Sequence, residues 1–352
     1  MELTLNEAVT KVELSGIRQF TYMVRDTPGA CALTIGEPDL NTPDAVKEAA
    51  KAALDANETH YPPGNGYPYM LEAVSKFEAE AHGLHYAPNE IIMTVGATEA
   101  LFASFSTILN PGDEVIIPTP AFGLYEAIVQ LRQAVPVHLP TQHNRYQIVP
   151  EELKAAITPR TKALILNNPS NPTGMVYSRE ELQAIGRVCV EKDIYVIADE
   201  IYYHLIYDGK TFTSFPSVSE EVKERTILIN GVSKSYAMTG WRIGYAAANE
   251  QIAKVMSNYL SHSTGAPCSI AQKAAAVALG GPQETVEEMR KAFEARRDHL
   301  VERMNAIPRV SCLKPEGAFY VMMNLRELLG KTIHGVTIHD ADDFADAFLK
   351  YG

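Results

Sequence analysis

Short apolar runs alternate with segments of helical period through the middle of this chain. Residues 90–95 (EIIMTV), 113–118 (DEVIIP), 162–167 (KALILN), 194–199 (IYVIAD) and 226–230 (TILIN) read as strands. Their apolar positions are consecutive, not alternating, as expected where helices cover both faces of a parallel sheet. Between them lie helix patterns. Leu101, Phe102, Phe105, Ile108 and Leu109 recur at helical spacing, residues 123–134 follow the second strand, and residues 178–192 open with Ser178 and Glu181 in capping-box register. Thr42 reads as the cap of a helix with Pro43 at the first helical position. A long helix is expected over 284–307, leading out of the large unit. The pattern predicts an α/β domain at 42–286 and a smaller α+β domain made of residues 1–41 plus 287–352, containing GAFYVMMNL and DADDFADAFLKYG.

A length of 352 residues agrees with two domains, since a single core usually stops growing below that size. The balance of 31 basic against 43 acidic side chains, a net charge of −12, argues against a broad nucleic-acid surface but leaves room for an anionic small molecule. Cys31, Cys189, Cys268 and Cys312 have neither zinc nor disulfide-framework spacing, so they read as reduced core thiols of a cytoplasmic protein, with no metal. MELTLNEAVTK has no apolar stretch of a signal peptide, and no run approaches the roughly 20 apolar residues of a membrane span.

In open α/β sheets, ligands bind beyond the carboxyl ends of the strands. Those positions hold Gly96, Ala97 and Thr98; Phe122; Asn168 to Asn171; Asp199 and Tyr202; and Ser233 and Lys234. Free amides at a helix start beside a hydroxyl make an anion site. Ser233 and Arg242 can add a hydroxyl and a forked cation to it. Asp199 ends an apolar strand, where a carboxylate needs a cation or donors; holding a ring nitrogen protonated is one such use. NNPSNPTG specifies a rigid turn that can aim the Asn171 amide. A partly desolvated lysine near another cation has a lowered pKa and attacks carbonyl carbon, which is the reading for Lys234. Taken singly, each motif has an ordinary alternative: a capped turn, a salt bridge, a packed aromatic. Together they describe the requirements of pyridoxal 5′-phosphate.

With these residues in hand, the sequence resembles the fold type I, class I/II aminotransferases. The matching stretches are LTIGEPDLNTP, YPPGNGYPYM, TVGATEALF, NNPSNPTG, IADEIYYHLIYD, SKSYAMTGWRIGY and KPEGAFYVM. VELSGIRQF is similar to a bacterial aromatic or N-acetyl-diaminopimelate aminotransferase subgroup. The resemblance implies a mostly parallel seven-stranded sheet flanked by helices, and ping-pong transfer of an amino group between an L-amino acid and a 2-oxo acid. It implies that Lys234 forms the internal aldimine and shuttles the substrate proton, that Asp199 pairs with the pyridinium nitrogen, and that Asn171 and Tyr202 hold the ring 3′-oxygen. Gly96, Ala97, Thr98, Ser233 and Arg242 would hold the phosphate, with Phe122 stacked on the ring. Tyr61 would reach the phosphate of a neighbouring subunit, making a homodimer with a composite site, and Gly36 would lie by the substrate carboxylate.

The family's carboxylate-clamping arginine, which lies in a further strand–helix unit, has no match here. Arg296, Arg297 and Arg303 read as the solvated face of the long helix, and Arg326 is unsupported. The chain, ending at Gly352, therefore reads as a fragment or truncated product whose cofactor binding is less affected than its transamination. A carbon–sulfur β-lyase of the same fold shares every cofactor residue. A cofactor-binding but catalytically incomplete protein is the other alternative; an oxidoreductase lacks its glycine fingerprint and leaves Lys234 unexplained.

Overall fold

The computed structural model describes residues 3–12 and 16–351, so part of the VELSGIRQF stretch, residues 13–15, lies outside the described residues, as does Gly352. Seven strands form one sheet: β1 (Ile91–Thr94), β2 (Glu114–Thr119), β3 (Val135–Pro140), β4 (Thr161–Asn167), β5 (Tyr195–Asp199), β6 (Thr226–Gly231) and β7 (Gly244–Ala247). Their order is β1-β7-β6-β5-β4-β2-β3. All neighbours are parallel except β7, which runs antiparallel to both β1 and β6. This is the α/β, mostly parallel, helix-flanked sheet that the sequence indicates.

Two strands escape the hydropathy pattern for physical reasons. β3 carries Pro136 and Pro140 and is largely exposed, which an edge strand tolerates because it need not donate on its outer side. β7 is only Gly-Tyr-Ala-Ala, too short and small to show an apolar run, although all four residues are buried.

The continuous apolar strands serve two cores at once. In β4, Ala163 and Ile165 join the cluster under helices Gly96–Ile108 and Glu250–Ser261. Leu164 and Leu166 join the opposite cluster under helix Arg179–Glu191. That helix starts as its sequence predicts: Ser178 Oγ accepts from the Glu181 N–H at 3.2 Å and Glu181 Oε2 accepts from the Ser178 N–H at 2.7 Å. Thr42, by contrast, is not a cap; Pro43 takes that position and the helix starts at Asp44. The Thr42 hydroxyl donates to the Ala237 carbonyl at 2.8 Å and accepts from the Trp241 indole at 3.1 Å, tying the first long helix (Asp44–Asp55) to the Lys234 loop.

Helix Glu284–Asn305 leads out of the sheet region, followed by a short hairpin (Thr332–Ile333 with Val336–Thr337) and helix Ala341–Tyr351. GAFYVMMNL forms no continuous strand and instead makes single bridges, Ile206 with Gly317 and Ser311 with Asn324. Among the described residues no helix is long and apolar enough to cross a membrane. The cysteines are not all core thiols: Cys189 is buried, but Cys31 and Cys268 are exposed.

The arginines of the long helix also depart from expectation. Arg296 is exposed and pairs with Asp39 at 2.7 Å. Arg297, however, is 5% exposed, and so is no part of a solvated face. It holds Asp208 with two hydrogen bonds (2.7 and 3.0 Å) and donates to the Pro315 carbonyl at 2.8 Å. Its guanidinium lies 4.7 Å over the Tyr207 ring. The helix turn that looked polar in sequence therefore pins residues 207–208 and 315 together.

Removing Arg297 takes out a buried guanidinium whose acid partner Asp208 is exposed, whereas removing Arg296 breaks a pair exposed on both sides. Arg297→Ala is expected to lower the unfolding free energy by roughly 1–3 kcal/mol through lost hydrogen bonds and packing, since Asp208 is left in water beside Lys314 and not as an unpaired buried charge. Arg296→Ala is expected to cost less than about 1 kcal/mol. Chemical denaturation of both variants checks this, and equal effects would contradict the assignment of Arg297 as the staple.

Candidate active site

The predicted chemistry collects at the carboxyl edge of the sheet because the loops after β1, β2, β4, β5 and β6 all lie there. β5 ends on Asp199, which is 4% exposed. Its Oδ2 accepts from the Tyr125 hydroxyl at 2.7 Å, and its Oδ1 from the Ile201 N–H at 3.3 Å. Burial pushes the Asp199 carboxyl above its ordinary pKa; the Tyr125 and Ile201 bonds, and the charge of Lys234, pull it back. β4 ends on Asn167, whose amide donates to the Asp199 carbonyl at 2.8 Å and whose oxygen accepts from the Asn171 N–H at 2.6 Å. The NPSNPTG turn is thereby hung from the end of the strand that carries the acid.

Lys234 lies on the loop after β6, half-buried. Its Nζ donates to the Gly36 carbonyl at 2.5 Å and sits 5.9 Å from the Tyr202 ring and 5.7 Å from the Phe319 ring. Removal from water pulls its pKa from the ordinary lysine value of 10.5 down to about 8; Glu37 opposes the shift, Arg242 adds to it, and Asp199 opposes it. About half of the amine is then neutral near pH 8, which makes it a competent nucleophile toward an aldehyde.

The anion cup is built where the loop after β1 turns into helix Gly96–Ile108. Gly96 has φ +74°, and a Cβ there would meet the Arg242 guanidinium at 2.6 Å. Gly244 is as confined, since its Cβ would meet the Ala97 amide nitrogen at 2.5 Å. The two glycines let the helix start, β7 and Arg242 close on one point, the geometry of an anion site with free amides and a cation. Arg242 also donates to the Thr239 carbonyl at 2.9 Å. Ser233 is buried beside Lys234, and Thr98 is exposed in the first turn of the helix.

Tyr202 follows Asp199 in a tight turn, its phenol 2.6 Å from the Tyr320 hydroxyl and within hydrogen-bonding reach of the Asn171 side chain. Phe122 meets Tyr125 edge-on at 5.7 Å. Gly36 is brought in through its contact with Lys234. Tyr61 is fully exposed in one chain and makes no hydrogen bond or ring contact with the cluster among the described residues. The sequence reading missed Tyr125, Tyr320 and Phe319. Tyr125 hides in a helix pattern and Tyr320 in GAFYVM; they are 74 and 118 residues from their partners, so no local spacing signals either contact. A cavity of about 510 Å³ elsewhere, among Arg145, Arg179, Lys210 and Glu316, contains none of the site residues.

These residues suit pyridoxal phosphate: a cup that a side chain at Gly96 would fill, a buried carboxylate that feels the charge of a lysine amine, and a phenol within hydrogen-bonding reach of an amide. The class this defines is that of the pyridoxal-phosphate enzymes built on an α/β sheet. Comparison with known proteins narrows it. The family "Aminotransferase class I and II" matches residues 30–351. An aspartate aminotransferase of Geobacillus stearothermophilus is 49% identical over 90% of this chain and 80% of its own length. An aspartate/prephenate aminotransferase of Cereibacter sphaeroides is 42% identical over 98% of this chain and 88% of its own. The crystal structure of the Rhizobium meliloti aspartate aminotransferase superposes with a TM-score of 0.95 at 36% identity, covering 99% of this chain and 89% of that one. The Thermus thermophilus aspartate aminotransferase with maleate does so with a TM-score of 0.89 at 38% identity, covering 98% and 93%. The chain belongs to the class I and II aminotransferases; it is a pyridoxal-phosphate-dependent enzyme that transfers an amino group between an amino acid and a 2-oxo acid.

Because only the unprotonated amine attacks, capture of pyridoxal at Lys234, trapped with borohydride and located by peptide mapping, is expected to rise with pH through a midpoint near 8. Below that midpoint the initial rate should fall about tenfold per pH unit. A midpoint near that of a free lysine would show that the fold does not desolvate the amine.

Proposed function

We propose that the residues at the sheet edge hold and use pyridoxal phosphate in the following roles, and that aspartate is the preferred amino donor. The observation that supports this most is the half-buried Lys234 amine, its pKa drawn down to about 8, beside the buried Asp199 carboxylate. When bound, the cofactor supplies an electron-withdrawing ring that disperses the charge left when the substrate α-carbon loses its proton. The Lys234 amine binds the cofactor aldehyde and moves the substrate proton. Asp199 keeps a proton on the ring nitrogen, and the Tyr125 bond keeps that carboxylate aimed. Asn171 and Tyr202 hold the ring oxygen. The amides of Gly96, Ala97 and Thr98, with Ser233 and Arg242, hold the phosphate, while Phe122 covers the ring face. The Gly36 backbone lies by the substrate carboxylate.

In this reading residues 42–286 form the cofactor domain and 1–41 with 287–352 the smaller one. Two chains pair, and Tyr61 of each serves the phosphate of the other; its full exposure in one chain is what such a role needs. The relatives named above support aspartate over the aromatic or N-acetyl-diaminopimelate donors that VELSGIRQF suggests. The maleate of the Thermus structure is a dicarboxylate of aspartate's length, which agrees with that choice. The cytoplasm is the compartment this reading implies.

Lys234→Ala is expected to abolish both the visible band of the bound cofactor and amino transfer. Aspartate with 2-oxoglutarate is expected to exceed any aromatic donor by more than about tenfold in kcat/KM. An aromatic donor that matches aspartate would refute the substrate assignment. Loss of neither band nor activity in Lys234→Ala would refute the roles themselves. Mixing inactive Lys234→Ala chains with inactive Tyr61→Ala chains should restore activity, since one site of each mixed dimer is intact.

A further inference from the structure

Tyr320 has no part in the roles above, yet it stands at their centre. Its hydroxyl is 2.6 Å from that of Tyr202. The segment that carries it is fixed on several sides. The Glu316 and Gly317 N–H groups donate to the Gly174 carbonyl at 2.8 and 2.9 Å, and the Ala318 N–H donates to the Leu205 carbonyl at 2.9 Å. Gly174, at φ +68°, has no room for a side chain because its Cβ would meet Pro315 at 2.5 Å. On its other side the Tyr320 ring is pressed against Gly36, where a Cβ would overlap the Tyr320 hydroxyl. The phenol is thus wedged between the strand of chain that binds Lys234 and the tyrosine assigned to the ring oxygen.

We propose that Tyr320 is a positioning residue that acts through Tyr202, donating its hydroxyl proton to the Tyr202 oxygen so that Tyr202 must spend its own proton on the cofactor ring oxygen. The inference rests on the cofactor-site reading. Its logic is a count of protons. A phenol has one proton and two acceptor lone pairs. The only hydrogen-bond partner of the Tyr320 hydroxyl among the described residues is Tyr202. If Tyr202 pointed its proton at Tyr320, the ring oxygen would lose a donor. With Tyr320 donating, the order runs Tyr320, Tyr202, ring oxygen, and each bond polarises the next. Asn171, within reach of Tyr202, keeps the Tyr202 oxygen on this axis. Phe319 packs edge-on against Tyr202 at 5.5 Å, which helps hold the Tyr202 ring in place.

A stronger donor to the ring oxygen favours that oxygen's anionic form, so weakening the donor raises the pH at which the bound cofactor takes up its proton. The test compares unmodified chain, Tyr320→Phe, Tyr202→Phe and the double variant, each loaded with pyridoxal phosphate and titrated by visible absorbance without substrate. Tyr320→Phe is expected to shift the midpoint up by roughly 0.3–0.7 of a pH unit, and Tyr202→Phe by roughly one or more. The double variant should match Tyr202→Phe alone, because Tyr320 has no route to the ring except through Tyr202. Cofactor affinity of Tyr320→Phe, from direct titration, should weaken by about 3- to 10-fold. An unshifted midpoint in Tyr320→Phe overturns the inference even if its thermal stability falls, since that is a structural role only. So does a shift that persists undiminished in the Tyr202→Phe background, or complete loss of cofactor binding. If instead the unmodified chain shows no Lys234-dependent band, the cofactor-site reading fails first and takes this inference with it.

Discussion

The constraint on which the structure turns is the cost of keeping a carboxylate and a lysine amine out of water at the edge of a sheet that is itself buried on both faces. Asp199 ends a strand whose other residues serve the cores. An isolated charge there would be prohibitive. The fold answers with a phenol, a backbone N–H and the nearby lysine. The same desolvation that burdens the acid lowers the lysine pKa, so one physical cost produces both halves of the chemistry. The parallel sheet with helices on both sides is what makes such a place available, since strand ends converge on it from five loops.

Much of the remaining architecture holds those loops in register. Asn167 ties the NPSNPTG turn to the main chain of Asp199, and Thr42 with Trp241 ties the first long helix to the lysine loop. Arg297 joins residue 208 to residue 315, and the adjoining segment carries Tyr320 to Tyr202. The part of the chain beyond the sheet therefore reaches the site through a short, well-anchored stretch. Packing there is tight enough that Gly36 and Gly174 have no space for a side chain. Small changes along this stretch should be felt at the tyrosine pair before they are felt at Asp199.

What the sequence determined by itself was the kind of sheet and the residues at its strand ends. Continuous apolar runs demand cover on both faces, and capping residues and turn prolines act over a few positions, so both are legible locally. For the same reason Gly96, Asp199, Asn171, Ser233 and Lys234 could be picked out, each from its place after a strand or in a turn. Tertiary structure alone decided the rest. The edge strand β3 and the small strand β7 exist because neighbours pair with them, not because of their composition. Arg297 looked like a solvated charge because helix periodicity does not reveal that Asp208 and Tyr207 fold over it. Tyr125 and Tyr320 are ordinary aromatics until the chain brings them to Asp199 and Tyr202. A hydrogen bond acts over about 3 Å of space and is indifferent to how many residues separate its ends, so its partners are settled only when the chain is folded.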